Sequence, residues 1–255
     1  MNEKVLSPRE IRRYGKQIMM PEIGMKGQEK LKLAKVLVIG AGGLGCPALQ
    51  YLTVAGVGNI GIAEFDMVDE TNLQRQVLYG SEDVGKLKSI IAKKSLEHLN
   101  SLTGVDIYNL MCDRSNALRI MEKYDIIVDA TDNFDARYVI NDACVILGKP
   151  MVHGAIYKYE GVISVFNYKG GPTYRCYNPQ TNDMTFKNPV PSSLGLLGVL
   201  PGITGTYLAN EVIKIITEAG EILSGKILLI NIFNNTFRTY NVKNVPENHE
   251  IHALQ

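Results

Sequence analysis

The sequence predicts an α/β protein: a doubly wound, mainly parallel sheet that is extended by antiparallel strands in its C-terminal half. Three observations carry this. Short apolar runs of strand length alternate with helical spacing as far as Pro150. A glycine-rich turn, Gly40-Ala41-Gly42-Gly43-Leu44-Gly45, stands between the first such run and the helical spacing after it. After His153 the β-rich runs follow one another with turn signals between them.

Taken in order, Ser7-Pro8-Arg9-Glu10 is a capping box with proline at the first helical position, and it predicts a helix to about Met20. A short basic segment follows. Lys35 to Ile39 (KVLVI) is an apolar run of buried-strand length. Leu44 to Ala55 reads as a helix stopped by Gly56-Val57-Gly58, and Asn59 to Phe65 as a second strand. Ser81 to Asn100 has helical spacing, with Ile90, Ile91, Leu96 and Leu99 on one side. Val105 to Met111 and Tyr124 to Ala130 read as the third and fourth strands. Phe134 to Leu147 is a helix closed by Gly148-Lys149-Pro150.

In the second half, Glu160 to Phe166 and Thr173 to Tyr177 flank the turn signal Lys169-Gly170-Gly171-Pro172. Asn178 to Pro191 reads as a mobile polar loop and Pro201 to Ala219 as a helix. Lys226 to Ile232 and Thr236 to Val242 make a terminal antiparallel pair.

Composition excludes several classes of function. The chain has 27 basic and 26 acidic residues, so no electrostatic footprint for nucleic acid or an anionic membrane exists. The charged N-terminus lacks the apolar core of a signal peptide, and no uncharged stretch is long enough to span a bilayer. Cys46, Cys112, Cys144 and Cys176 are scattered without a CxxC pair, which reads as reduced thiols in a cytoplasmic protein.

The glycines Gly40, Gly42 and Gly45 form G-x-G-x-x-G between a strand and a helix, the Rossmann-like phosphate turn. Missing side chains let backbone amides approach a phosphate at the positive helix end. Glu64, ending the second strand, is placed to accept bonds from ribose hydroxyls. Arg75 and Lys88 beside such a loop can neutralise a triphosphate and stabilise charge developing on it. Asp132, just past the fourth strand, is a natural Mg²⁺ contact, because Mg²⁺ uses one or two carboxylates plus phosphate oxygens. The bland alternative for Asp132 is an N-cap of the next helix.

Together the pieces Arg13-Tyr14-Gly15-Lys16-Gln17, GAGGLG, Thr71-Asn72-Leu73-Gln74-Arg75-Gln76, Val84-Gly85-Lys86-Leu87-Lys88, Ala130-Thr131-Asp132-Asn133 and Gly198 to Gly205 matter more than any one alone. In this order, the chain resembles the E1-like ubiquitin-activating superfamily of MoeB, ThiF and HesA proteins from Ile11 to Val242. The resemblance implies an ATP-dependent adenylyltransferase. Its substrate would be the C-terminal glycine carboxylate of a ubiquitin-like sulfur carrier, ThiS-like or MoaD-like, in thiamin or molybdopterin biosynthesis.

By family position, Gly43 meets ATP through its backbone and Glu64 meets the ribose. Asn72, Arg75 and Lys88 meet the phosphates, within a binding stretch that includes Thr71, Leu73 and Gln74. Asp132 holds Mg²⁺ with Asn133 beside it, and Lys16 is supplied by the second subunit of a homodimer. The chain then divides into an N-terminal helical segment (1–34), a nucleotide-binding half (35–153), a carrier-binding half (154–242) and a polar tail (243–255).

The sequence departs from the family pattern in several places. Lys16 stands for an arginine and Glu64 for an aspartate. The structural zinc of many members needs two CxxC pairs, but here only Cys176 of Thr173-Tyr174-Arg175-Cys176 remains, so no structural zinc is expected. The loop cysteine of some relatives aligns with Pro191, followed by Ser192-Ser193, so no thioester step is expected on that loop. Two other readings stay open on the residues alone. One is an NAD-dependent oxidoreductase, favoured by the glycine loop and Glu64; the other is a non-catalytic docking module.

Overall fold

The computed structural model describes residues 5–179 and 195–254. Five parallel strands, β1 (Lys35–Ile39), β2 (Asn59–Ala63), β3 (Gly104–Tyr108), β4 (Ile126–Asp129) and β5 (Met151–Tyr157), form one half of a single sheet. Three antiparallel strands, β6 (Glu160–Phe166), β7 (Lys226–Asn231) and β8 (Thr236–Asn241), complete it in the order β3-β2-β1-β4-β5-β6-β7-β8. This is the α/β architecture that the sequence predicts.

The helices are α1 (Pro8–Arg13), α2 (Gly15–Ile18), α3 (Gly24–Leu33), α4 (Gly45–Ala55), α5 (Lys88–Leu99), α6 (Ala117–Met121), α7 (Phe134–Leu147), α8 (Tyr174–Tyr177) and α9 (Val199–Thr217). Because side chains alternate across a strand, each central strand feeds two cores. Val36 and Val38 of β1 pack with Leu49, Leu96 and Leu208 from α4, α5 and α9. Leu37 and Ile39 face the other way, toward Ile120, Ile140 and Tyr174 from α6, α7 and α8. The chain leaves β1 toward β2 on one side and returns to β4 on the other. That reversal opens a crevice at the carboxyl ends of β1 and β4, where ligands of open α/β sheets bind.

Four local readings change. The capping box at Ser7 forms as expected, but the helix stops at Tyr14 (φ −96°, ψ 12°) instead of running to Met20. Tyr14 is buried against Gly56, where even a Cβ would lie 2.6 Å from its ring, and its hydroxyl accepts from Asn100 at 2.9 Å. This tertiary contact outranks helix continuation. The helix expected from Ser81 begins only at Lys88; residues 81–83 form a 3-10 turn, and Gly85 at φ +81° breaks the path. The second strand ends at Ala63 rather than Phe65, because the Glu64 carboxylate turns back onto the amides of Phe65 and Asp66.

Thr173 to Tyr177 is not β structure but the single helical turn α8. The Tyr174 amide donates to Asn141 at 2.7 Å, and Arg175 pairs with buried Asp142 at 2.7 Å, docking the turn on α7. His153 lies within β5. Of the predicted Asn178–Pro191 loop only its first two residues are described, and Pro191, Ser192 and Ser193 lie outside the described residues.

Candidate functional site

The crevice is built from the glycine turn upward. Gly40 holds φ +94°, and a Cβ there would meet the Ala130 carbonyl oxygen at 2.8 Å. At Gly45 a Cβ would come within 2.0 Å of the Gly40 carbonyl oxygen, so this glycine closes the turn from behind rather than facing a ligand. Gly42 and Gly43 line the crevice itself. Beneath them the Ala41 carbonyl accepts from the Tyr79 hydroxyl at 2.7 Å and the Cys46 thiol at 3.3 Å. Burial pushes the Cys46 thiol up to about 12, which makes it a packing group.

Glu64, 6% exposed, holds the turn from the side. Its Oε2 accepts from the Ala41 amide at 2.9 Å, and its Oε1 from Phe65 and Asp66 at 2.8 and 2.9 Å. Asp66, which sequence reasoning missed, ion-pairs with Lys88 (Nζ to Oδ2, 3.1 Å). The Lys88 side chain is only 6% exposed, so this pair fixes a buried cation at the start of α5. Arg75 donates to the Thr71 carbonyl at 3.0 Å, which leaves most of its guanidinium donors for the crevice. Asn133, not Asp132, caps α7 by accepting from the Ala136 amide at 2.9 Å. The carboxylate of Asp132 is exposed and is not needed to cap the helix.

The result is one cleft of about 480 Å³ bringing together Gly40, Gly42, Gly43, Glu64, Gln74, Arg75, Lys88, Asp132 and Asn133. Gly45 lies behind the turn. Thr71, Asn72 and Leu73 stand outside the lining: Thr71 and Asn72 belong to a 3-10 turn capped by Asp69, and Leu73 packs toward the core. Lys16 is exposed on α2 and does not line the cleft of its own chain. Gln76 and Arg137 line it too and were not singled out. Both stand one helical or turn step from residues that were, which is the only signal they give.

Below the cleft lies a pair that sequence reasoning also missed. Asp129 (0% exposed) and His153 (1%) meet at 2.7 Å, Oδ2 to Nδ1. The other Asp129 oxygen accepts from the Thr131 amide at 3.0 Å and hydroxyl at 2.6 Å. Burial alone would raise the Asp129 carboxyl, but His153, the nearby Arg137 charge and Thr131 hold it below the usual carboxylate range. Burial lowers His153 below its ordinary value, and Asp129 offsets this only in part. The pair is therefore a neutral imidazole donating to a carboxylate. The carboxylate inside the apolar run of β4 was the available clue.

Stability should follow this pair's protonation. Both folded values are depressed, so the unfolded chain binds more protons as the pH falls. The stabilisation is complete above the unfolded histidine value, near 6.5, and declines below it. Thermal unfolding between pH 7 and pH 5 should lose up to about 1.4 kcal/mol per pH unit from His153 alone. His153→Gln should flatten that slope. A wild-type curve level across this range would contradict the assignment.

Cys176 ties α8 to the C-terminal tail: its sulfur lies 3.4 Å from the Thr173 hydroxyl and accepts from the Val245 amide at 3.4 Å and Asn248 Nδ2 at 3.7 Å. Among the described residues no group of three or more His, Cys, Asp or Glu side chains gathers as a metal site.

Comparison with known proteins adds to this geometry. The ThiF family model matches residues 14–250. A sulfur carrier protein adenylyltransferase of Thermus thermophilus is 44% identical over 248 residues, covering 93% of this chain and 89% of the relative. A "Probable molybdopterin-synthase adenylyltransferase" of Porphyra purpurea is 46% identical, covering 91% of this chain and 61% of the relative, so the chain spans less than two thirds of that protein. Among solved structures, E. coli MccB with ATP superposes with a TM-score of 0.82 at 25% identity, over 96% of this chain and 75% of the other.

Proposed function

The chain belongs to the ThiF family, and from that premise we propose that it activates the C-terminal glycine carboxylate of a ubiquitin-like sulfur carrier as an acyl-adenylate, at the expense of ATP. Relatives named for sulfur-carrier and molybdopterin-synthase adenylylation support this, over most of the chain's length. The single observation that carries it is the joint placement of the glycine turn, Arg75, Lys88 and Asp132 around one cleft. A dinucleotide oxidoreductase has only a pyrophosphate to hold and no use for this clamp.

The chemistry joins two anions. One carboxylate oxygen attacks the α-phosphorus, a new acyl–phosphate bond forms, and the bond to the bridging oxygen breaks, with pyrophosphate leaving with the electron pair. Gly42 and Gly43 offer backbone room at the phosphates. Arg75 and Lys88 offset charge that shifts onto the departing oxygens. The pairing with Asp66 keeps Lys88 aimed without a mobile search. Glu64 keeps the turn in register while its outer edge meets the ribose.

Mg²⁺ fits the donor set, since an exposed carboxylate beside a phosphate site is its usual protein contact. Asp132 would hold it, with Asn133 anchoring the position through its cap. When bound, the ion would screen negative charge on the phosphate oxygens and so lower the repulsion felt by the incoming carboxylate. Asp132→Asn should raise the Mg²⁺ concentration needed for half-maximal ATP–pyrophosphate exchange by about 10–100-fold. An unchanged magnesium requirement would remove Asp132 from this role.

The carrier, the homodimer and a cytoplasmic location are parts of the same proposal. Among the described residues no helix is long and apolar enough to cross a membrane, and the four thiols are free. Met19, Met20 and Met25 are exposed beside Lys16, an apolar face suited to a second copy. If Lys16 acts across that contact, mixing Lys16→Ala with Arg75→Ala chains should restore part of the exchange lost by each alone. The decisive experiment for the activity is ATP–pyrophosphate exchange with ThiS-like and MoaD-like carriers. ATP binding without exchange on any carrier would overturn the reading and favour a docking module.

A further inference from the structure

The turn that carries Asp132 is held at the residues on either side of it. The Ala130 amide donates to the Ile39 carbonyl at 3.0 Å, which ties the turn to β1. At Thr131 every polar group is engaged. Its amide and hydroxyl both donate to Asp129 Oδ1, at 3.0 and 2.6 Å, and its carbonyl accepts from Arg137 Nη2 at 3.0 Å. Beyond Asp132, Asn133 is fixed as the cap of α7. The Asp132 carboxylate itself has no hydrogen bond among the described residues and faces the cleft. Its direction is therefore set by the backbone before and after it.

The anchor behind Thr131 is a buried ion. Asp129 is wholly buried at the end of β4, and its second oxygen accepts from Nδ1 of His153 at 2.7 Å. His153 is its register partner on β5. Taking a carboxylate out of water costs several kcal/mol even when it is paired, and an apolar pair of similar volume is often as good for stability. An apolar residue at 129 could not hold a threonine amide and hydroxyl together. Nor could Asp129 keep one oxygen for Thr131 in a fixed direction if the other oxygen lacked its donor. The costly pair thus stands where β4 runs into the cleft, one residue away from the turn that Asp132 needs.

We propose that His153 and Asp129 are positioning residues for the Asp132 carboxylate: His153 orients Asp129, Asp129 clamps Thr131, and the clamped turn aims Asp132 at the cation that accompanies the nucleotide. The inference rests on the reading of Asp132 as the Mg²⁺ contact and deepens it. Neither His153 nor Asp129 touches the nucleotide or the ion. Loosening Thr131 would let Asp132 swing, and metal affinity falls when the partners that orient a ligand are lost.

The test uses the full chain and needs no turnover. Calorimetric titration with a non-hydrolysable ATP analogue, repeated over a range of Mg²⁺ concentrations, gives the Mg²⁺ needed to tighten binding half-way. Thr131→Val keeps the shape of a half-buried side chain but loses its hydroxyl donor. It should raise that Mg²⁺ concentration about tenfold and leave the metal-free Kd of the analogue within about twofold. Thr131→Ser, which keeps the donor, should stay close to the wild type. His153→Leu should match Thr131→Val, and His153→Gln, which still donates to Asp129, should recover most of the loss. If His153→Leu does not fold, the Thr131 pair and His153→Gln decide alone.

A double-mutant cycle separates positioning from general weakening of the fold. Combined with Asp132→Asn, Thr131→Val should add nothing, because it acts through the carboxylate already removed. An unshifted Mg²⁺ requirement for Thr131→Val, or a shift of full size on top of Asp132→Asn, overturns the proposal. If Asp132→Asn alone leaves the requirement unchanged, the Mg²⁺ reading falls and takes the clamp with it, so the two failures are distinguishable.

Discussion

Arg75→Ala is expected to slow ATP–pyrophosphate exchange by ~10²–10³, about 2.7–4 kcal/mol of transition-state stabilisation. The size follows from position. The Arg75 side chain passes close to the glycine turn, its Cδ within 3.6 Å of where a Gly43 Cβ would stand, and its head faces the cleft that also holds Lys88. Charge on the departing pyrophosphate grows during the reaction, so a donor there acts more on kcat than on nucleotide affinity. Arg75→Lys should recover charge but not the forked geometry, and should fall between the two. Steady-state exchange with varied ATP separates these effects. A variant with unaltered kcat and a raised KM would mean that Arg75 only binds the ground state.

The second large effect is on stability. His153→Ala should destabilise the fold by about 3 kcal/mol or more, because it removes a hydrogen bond to a buried carboxylate and leaves a cavity among rings. The imidazole packs 5.0 Å from the Tyr174 ring and 5.8 Å from that of Phe166, centroid to centroid. For a chain of this size the melting temperature should fall by roughly 6–12 °C. Differential scanning calorimetry at pH 7.5 measures it. A loss of under 1 kcal/mol would show that Asp129 finds another donor. Asp129→Asn with wild-type His153 should cost less, since no unpaired charge remains.

The elements that were legible in the sequence are those whose ends are fixed by their own residues. β1 and α7 were placed to the residue, and α4 to within one, because left-handed glycines at 56 and 148 and the Asn133 cap are local devices. What stayed hidden depends on distant partners. The break at Tyr14 needs Gly56 across the core, and α8 needs Asn141 and Asp142. In β5, His153 and Gly154 interrupt the apolar run, and only pairing with β4 and β6 makes His153 a strand residue.

The cleft was legible in the same way. The turn glycines, Arg75, Lys88 and Asp132 belong to ordered motifs and do converge. Asp66, Arg137 and the buried pair gave no pattern, since their meaning lies in what faces them. The same holds for Thr71 and Asn72, which the motif groups with the phosphate residues but which the fold uses to shape a turn.

Asn133 and Asp132 are adjacent, yet they carry separate burdens: one holds the end of α7, and the other presents only its charge. A change at Asn133 loosens a helix that packs into the core on the Leu37 and Ile39 side of the sheet, and it reaches a cell as lower abundance. If Asp132 holds Mg²⁺ as proposed, a change there leaves the protein folded and plentiful, and is felt as lost turnover. On that proposal, natural selection sees two neighbouring codons through different phenotypes, and the exposed Asp132 carboxylate can vary without putting the fold at risk.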